Sequence, residues 1–182
     1  MSEQKRCHDE LGEEKVDAIK QKVDHSTDSL KFEISPYLYF DGNCREAIDF
    51  YVQVFSGKLE FITLYKDAPP SMEVPDNYKE RVMHATLKIK RGTDELSIML
   101  SDIHPEMGNH LIGSNIHLSV SMSDFPLVQE VWKKFEEHEK TKITMPLQKQ
   151  FWGSMYGNLI DPFGVPWMFS APIPPENKSE NA

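Results

Sequence analysis

The feature that most constrains this chain is an order of elements that occurs twice. A strand, a helix and three further strands run from Ile34 to Ser101, and the same order returns from Asn115 to Met168. The period is about 80 residues, and the repeat is one of architecture far more than of residues. Strands in threes with one helix between them make mixed sheets with helices on one face, an α+β fold. Each sheet then has a second, curved face free to line a cavity.

The elements follow from local pattern. Ile34 to Phe40 alternates, with Ile34, Leu38 and Phe40 on one side and Ser35, Tyr37 and Tyr39 on the other, which predicts a strand. Asp41-Gly42-Asn43 is a turn, Asn43 is placed to cap a helix, and Glu46 three residues on completes a capping box. Ala47, Ile48, Tyr51, Val54 and Phe55 mark one helical face, and Gly57 ends the helix. Strands follow at Leu59–Leu64, Arg81–Lys90 and Glu95–Ser101. The 65–80 stretch between the first two, with Pro69, Pro70 and Pro75, is long for a connection, and such loops often act as lids. In the second unit, Asn115–Met122 is a strand and Ser123 or Asp124 caps a helix with Pro126 in its first turn, where proline is tolerated. That helix buries Val128, Val131, Trp132 and Phe135. Thr141–Gln148 is a strand. Phe151–Met168 is a hairpin turning at Asp161-Pro162-Phe163-Gly164, where Pro sets φ and Gly is free to take a positive value.

The 182 residues are 39% hydrophobic and 27% charged, the composition of a globular protein with a core. Residues 1–31 are polar and charge-mixed and read as a disordered tail in which Cys7-His8 is the one metal-binding hint. The domain occupies 32–171, and 172–182 form a second polar tail. A formal net charge of −9 argues against nucleic acid and against an anionic membrane surface as partners. No apolar run is long enough to span a bilayer and no signal peptide is visible, so the expected location is cytoplasmic. The two cysteines, Cys7 and Cys44, make no disulfide framework. GxGxxG, P-loop, HExxH and GxSxG patterns are all missing from the sequence.

Four stretches are more specific than this physics: SPYLYFDGNCREAIDFYVQVF, a strand opening HATLKI, a strand ending MLSD, and FW followed by DPFGVPWM. Together they resemble the PhnB-like branch of the vicinal oxygen chelate superfamily, which also holds glyoxalase I and bleomycin-resistance proteins. The resemblance covers about Ile34 to Ala171. It implies two βαβββ modules in a cupped, incomplete barrel, and a homodimer. Metal-dependent members carry His and Glu ligands on the first and last strands of each module. The matching positions here are Pro36 or Tyr37, the neighbourhood of Leu96 to Ile98, Asn115 and Met168, none of them a usual ligand for a divalent cation. The resemblance therefore implies no cofactor of the usual kind, with a non-standard divalent metal left open. No glycine-rich turn is present to hold S-adenosylmethionine, against the methyltransferase label some proteins of the branch carry.

Candidate site residues follow from the faces of the strands. His84, with Thr86 and Lys88, lies opposite Met83, Ala85, Leu87 and Ile89, and serves either as an acid–base group or as a structural histidine. His117 shares a polar face with Asn115, Ser119 and Ser121, a cavity lining or a solvated strand face. Asp102 ends a strand two residues before His104, a proton-sharing pair or an ordinary turn former; Glu106 and His110 follow in the same loop. These make His84, His117 and Asp102 the catalytic candidates. Tyr37, Tyr39, Met99, Asn115, Trp152, Tyr156 and Trp167 are the ligand-binding candidates, the rings forming an aromatic wall or, in the case of Trp167, core. Cys44, in the first turn of a helix, reads as an inert helix residue in preference to a nucleophile. The function expected is small-molecule binding. The alternatives are a lyase, isomerase or dioxygenase-type enzyme with a non-standard His/Asp site, and a structural or regulatory protein acting through its tail.

Overall fold

The computed structural model describes residues Ile34–Ile173. The N-terminal tail with Cys7 and His8, and the last residues of the C-terminal tail, lie outside the described residues. Eight strands and two helices follow one another as β1 (Tyr37–Phe40), α1 (Cys44–Phe55), β2 (Lys58–Leu64), β3 (Val82–Arg91), β4 (Asp94–Asp102), β5 (Leu118–Ser121), α2 (Phe125–Glu136), β6 (Lys142–Lys149), β7 (Ser154–Ile160) and β8 (Pro166–Pro172). The repeat is exact in topology. One sheet has the order β1-β4-β3-β2, the other β5-β8-β7-β6. In each, the first strand runs parallel to the last, while the inner pairs are antiparallel. This is the α+β architecture of two βαβββ modules, with both sheets open.

The helices cover one face of each sheet because their apolar stripes match the inward positions of the strands. Cys44, Ala47, Ile48, Tyr51, Val54 and Phe55 of α1 are buried, as are Val128, Val131, Trp132 and Phe135 of α2. They share one core with Phe40, Leu87, Leu100, Leu159 and Phe169. Aromatic rings join the modules: Phe135 lies 5.3 Å from Phe50 and 5.6 Å from Phe55, and Tyr51 lies 5.6 Å from Trp167.

Several boundaries differ from expectation for local reasons. β1 begins at Tyr37 instead of Ile34, and Ile34 is 84% exposed. Pro36 accepts a bond from Met99 through its carbonyl at 3.0 Å but has no N–H to extend the ladder. β5 begins at Leu118 instead of Asn115. Its partner β8 starts only at Pro166, because Val165 is held in the preceding turn by the bond from Asp161 N to its carbonyl. The left-handed residue after α1 is Ser56 (φ 51°), not Gly57. Gly57 serves a close approach, since a Cβ there would stand 3.0 Å from the Lys88 carbonyl oxygen. The 65–80 loop is not structureless: it holds two 3-10 turns, Tyr65–Asp67 and Asp76–Tyr78, and Tyr65 is buried.

Candidate functional site

The alternation of the strands decides what faces the helices and what faces away. On β1, Leu38 and Phe40 point to the core, so Tyr37 and Tyr39 point to the open side. On β3 the buried Ala85, Leu87 and Ile89 leave His84 and Thr86 on that same open side. On β4 the buried Ile98 and Leu100 place Met99 and Ser101 there. Register then assembles a row: Tyr37 pairs with Met99, Met99 with Thr86, and Thr86 with Phe61. A bulge at Glu60 turns Phe61 outward: Leu59 pairs with Leu87, but Phe61 pairs with the very next residue back, Thr86.

Within this patch the Tyr37 hydroxyl lies 3.0 Å from His84 Nδ1, and the Thr86 hydroxyl lies 3.3 Å from His84 Nε2. With Tyr37 donating to Nδ1, Nε2 carries the proton and donates to Thr86. Burial raises the Tyr37 phenol above its ordinary range, so Tyr37 is a neutral hydroxyl. Two rings pack against the imidazole, Tyr37 at 5.6 Å and Phe61 at 6.0 Å, and Tyr39 lies tilted against Tyr37 at 4.9 Å. Tyr37, Tyr39 and Phe61 are 37%, 42% and 52% exposed, large rings on a sheet face that no helix among the described residues covers. The arrangement offers a proton-carrying imidazole, hydroxyls and flat apolar surface to a ligand.

The second sheet has its own open face, bearing Tyr156 and Asn158 of β7, Met168 and Ser170 of β8, and Ser119 and Ser121 of β5. Tyr156 donates to Met168 Sδ at 3.0 Å. The Trp152 ring, at the tip joining β6 to β7, meets Tyr156 edge to face at 5.6 Å.

The structure thus brings Tyr37, Tyr39, His84 and Met99 together on one sheet, and Trp152 with Tyr156 on the other. It separates the rest. Asn115 and His117 are exposed and precede β5. Trp167 is 2% exposed in the core. Asp102 lies on the core side of β4, away from His84, and both oxygens of its carboxylate accept backbone hydrogen bonds. Oδ1 accepts from Gly42 N at 2.7 Å and Cys44 N at 3.1 Å, and Oδ2 from Val82 N at 2.8 Å. It caps α1 in place of Asn43, whose side chain makes no cap bond. Asp102 is therefore a structural carboxylate with neither His84 nor His117 beside it. His104 accepts from Glu106 N through Nδ1, and His110 Nε2 lies 2.9 Å from the Tyr39 carbonyl. Burial and the Asp102 charge push the Cys44 thiol far above its ordinary range, the opposite of an activated nucleophile. Phe61 and Asn158 escaped the sequence reading. The bulge hid the first; the second was legible in the alternation Tyr156, Asn158 against Gly157, Leu159.

Comparison with known proteins decides the family. The model of the Glyoxalase/Bleomycin resistance protein/Dioxygenase superfamily matches residues 33–169. The chain belongs to this superfamily. Protein YjdN of Escherichia coli K12 is 32% identical over 149 residues, covering 75% of this chain and 93% of that one. The crystal structure of protein PA1353 from Pseudomonas aeruginosa is 30% identical with a TM-score of 0.65, covering 78% of this chain and 98% of that one. A PhnB protein from Bacillus cereus shares the fold at 24% identity and a TM-score of 0.59, over 77% of this chain and 99% of that one.

The superfamily's metal-dependent members draw their ligands from the first and last strands of each module. In this glyoxalase-fold chain the open-face residues where the first and last strands pair are Tyr37 and Tyr39 on β1, Met99 and Ser101 on β4, Ser119 and Ser121 on β5, and Met168 and Ser170 on β8. These positions offer neutral hydroxyls and thioethers; the one carboxylate on the same face of β4, Glu95 near the far end of the strand, is held by Lys88 at 3.0 Å and Lys90 at 2.6 Å. No group of three or more His, Cys, Asp or Glu residues suited to a metal occurs among the described residues. The residues do not fit the superfamily's usual divalent site. Among the described residues no helix is long and apolar enough to cross a membrane.

Proposed function

We propose that this protein binds a small organic molecule on the open faces of its sheets, without the divalent metal used elsewhere in the superfamily. The observation that supports this reading is the hydrogen-bonded chain Tyr37–His84–Thr86, flanked by exposed rings. Directional polar groups set in flat apolar surface are the ordinary composition of a ligand site. Neutral side chains at the four strand positions speak for organic ligation over metal ligation. The test is elemental analysis of protein purified without chelator or tag, followed by a thermal-shift screen of neutral and anionic organic compounds. The expected result is no stoichiometric metal and at least one binder whose affinity falls about tenfold or more in Tyr37→Phe and His84→Ala, roughly 1.4 kcal/mol, with the melting temperature of both variants close to wild type. Stoichiometric metal lost in His84→Ala would overturn it.

A second reading, acid–base catalysis, is favoured by the 3.0 Å contact of Tyr37 with His84. In it the imidazole moves a substrate proton while Tyr37 fixes its tautomer. Turnover of a bound ligand, lost in His84→Ala but with binding retained, distinguishes it from simple binding. The same proposal takes the protein as a cytoplasmic homodimer, checked by sedimentation and by fractionation.

A further inference from the structure

The open face of the second sheet holds an inversion of normal hydrogen-bond chemistry. Asn158 Oδ1, the side chain of a strong amide acceptor, is shielded from solvent and has no partner. Two donors nearby are directed instead at sulfur. Tyr156 donates to Met168 Sδ at 3.0 Å, and the Gln150 side-chain amide reaches Met145 Sδ at 4.0 Å. Thioether sulfur is a weak acceptor and cannot donate. Met145 and Met168 are also the register partners of Asn158 on the two neighbouring strands, so neither can satisfy its oxygen. A buried acceptor left unmatched is disfavoured in a folded protein and calls for an explanation.

We propose that Asn158 is the anchor of a ligand subsite that takes a neutral molecule presenting an N–H or O–H donor beside an acceptor, as a carboxamide or lactam does, on a flat apolar body. The ligand's donor satisfies Asn158 Oδ1. Its acceptor receives the Tyr156 hydroxyl, which exchanges sulfur for oxygen. The Trp152 and Tyr156 rings, edge to face at 5.6 Å, give the flat body its wall. Met145 and Met168 are unbranched and adaptable, so they can move aside as the ligand enters. Neutrality follows from the lining. The rows Ser119–Met168–Asn158–Met145 and Ser121–Ser170–Tyr156–Gln148 contain no charged side chain, and an ion placed there would lose water with nothing to pair it. This inference deepens the reading above and rests on it in one respect, that organic ligands reach the open sheet faces.

The experiment uses the full chain, labelled with ¹⁵N, and three probes of one shape: benzamide, N,N-dimethylbenzamide and benzoate. Benzamide is expected to shift the Asn158 side-chain amide and the Trp152 indole signals. The dimethyl compound, with no donor, and benzoate, with a charge, are expected to bind at least tenfold more weakly. Asn158→Leu removes the orphan oxygen; its melting temperature is expected to equal or exceed wild type while the benzamide response at Trp152 disappears. Asn158→Ala is the second variant should leucine fail to fit. Equal binding of all three probes, or undiminished benzamide binding by the folded variant, overturns the subsite. If benzamide fails while another compound binds in a His84-dependent manner, the subsite falls and the broader reading stands. If no compound binds either face, both fall.

Discussion

Asp102 reaches three backbone N–H groups from the end of β4, two at the entry to α1 and one at the start of β3. The N–H groups of a helix's first turn have no intrahelical partner, and here a carboxylate from about sixty residues away supplies one. Asp102→Ala leaves them bare and is expected to destabilise the fold by about 3 kcal/mol, measured by urea unfolding. Tyr65 donates to the Asp102 carbonyl at 2.9 Å, and its phenol is pushed up to about 12 by burial and by the Asp102 charge. Asp161, in the turn between β7 and β8, is a second buried carboxylate. It accepts from Tyr51 at 2.6 Å and, each at 2.9 Å, from the Trp167 indole and the Phe163 and Val165 backbone. Burial still holds its carboxyl above the usual range, although those four bonds pull it down. The folded protein therefore takes up this proton at a higher pH than the unfolded chain does. The group's cost is present at neutral pH and is relieved as pH falls through the carboxylate range. Relative to Asp161→Asn, the wild type should gain stability as pH drops from about 7 to about 4, read from urea midpoints across that range. A gap moving the other way would show that hydrogen bonding outweighs burial.

Strands and helices were legible where one period governs the whole element. Both helices bury the side chains that a 3.6-residue stripe selects, and the Asp161–Gly164 turn lies where Pro and Gly place it, with Gly164 at φ 89°. What the sequence hid are residues whose environment is set by distant chain. Asn43 looks like a cap, but Asp102 occupies that role from another strand. Leu59 and Phe61 read as neighbours on one face until the bulge at Glu60 parts them. Asp102 and Trp167 read as site residues because their types suit chemistry, whereas parity along β4 and β8 turns them to the core. The candidate site was half visible: Tyr37, Tyr39 and His84 follow from alternation, but their convergence needs the β1–β4–β3 register. Gly157 shows how tightly that register is held in the second sheet. A Cβ there would stand 2.8 Å from Leu147 Cα and 2.9 Å from the Trp132 ring. Gly157→Ala is expected to cost about 1–3 kcal/mol and to shift the Trp132 fluorescence, a lower melting temperature being the simple check.

The two modules share one core, so they should unfold together. Phe135 is fully buried among Phe50 and Phe55 from the first module and Trp167 and Phe169 from the second. Phe135→Ala is expected to cost about 3–5 kcal/mol and to leave a single transition, with near-UV and far-UV circular dichroism losing signal at the same urea concentration. Two separated transitions would mean that the modules are independent. The parallel edge strand of each sheet carries a kinetic consequence. Tyr37 meets Met99 across about sixty residues of intervening chain, whereas β3 and β4 are joined by a tight turn. Local hairpins form quickly and distant pairings slowly, so β1 joins its sheet late in folding. A four-residue strand at the margin, paired on one side, is also expected to open more often than the inner strands. Tyr37 and Tyr39 ride on that strand, so these open-face tyrosines are expected to sit where backbone amides exchange readily with solvent, and a molecule that bridged them to His84 would slow that exchange.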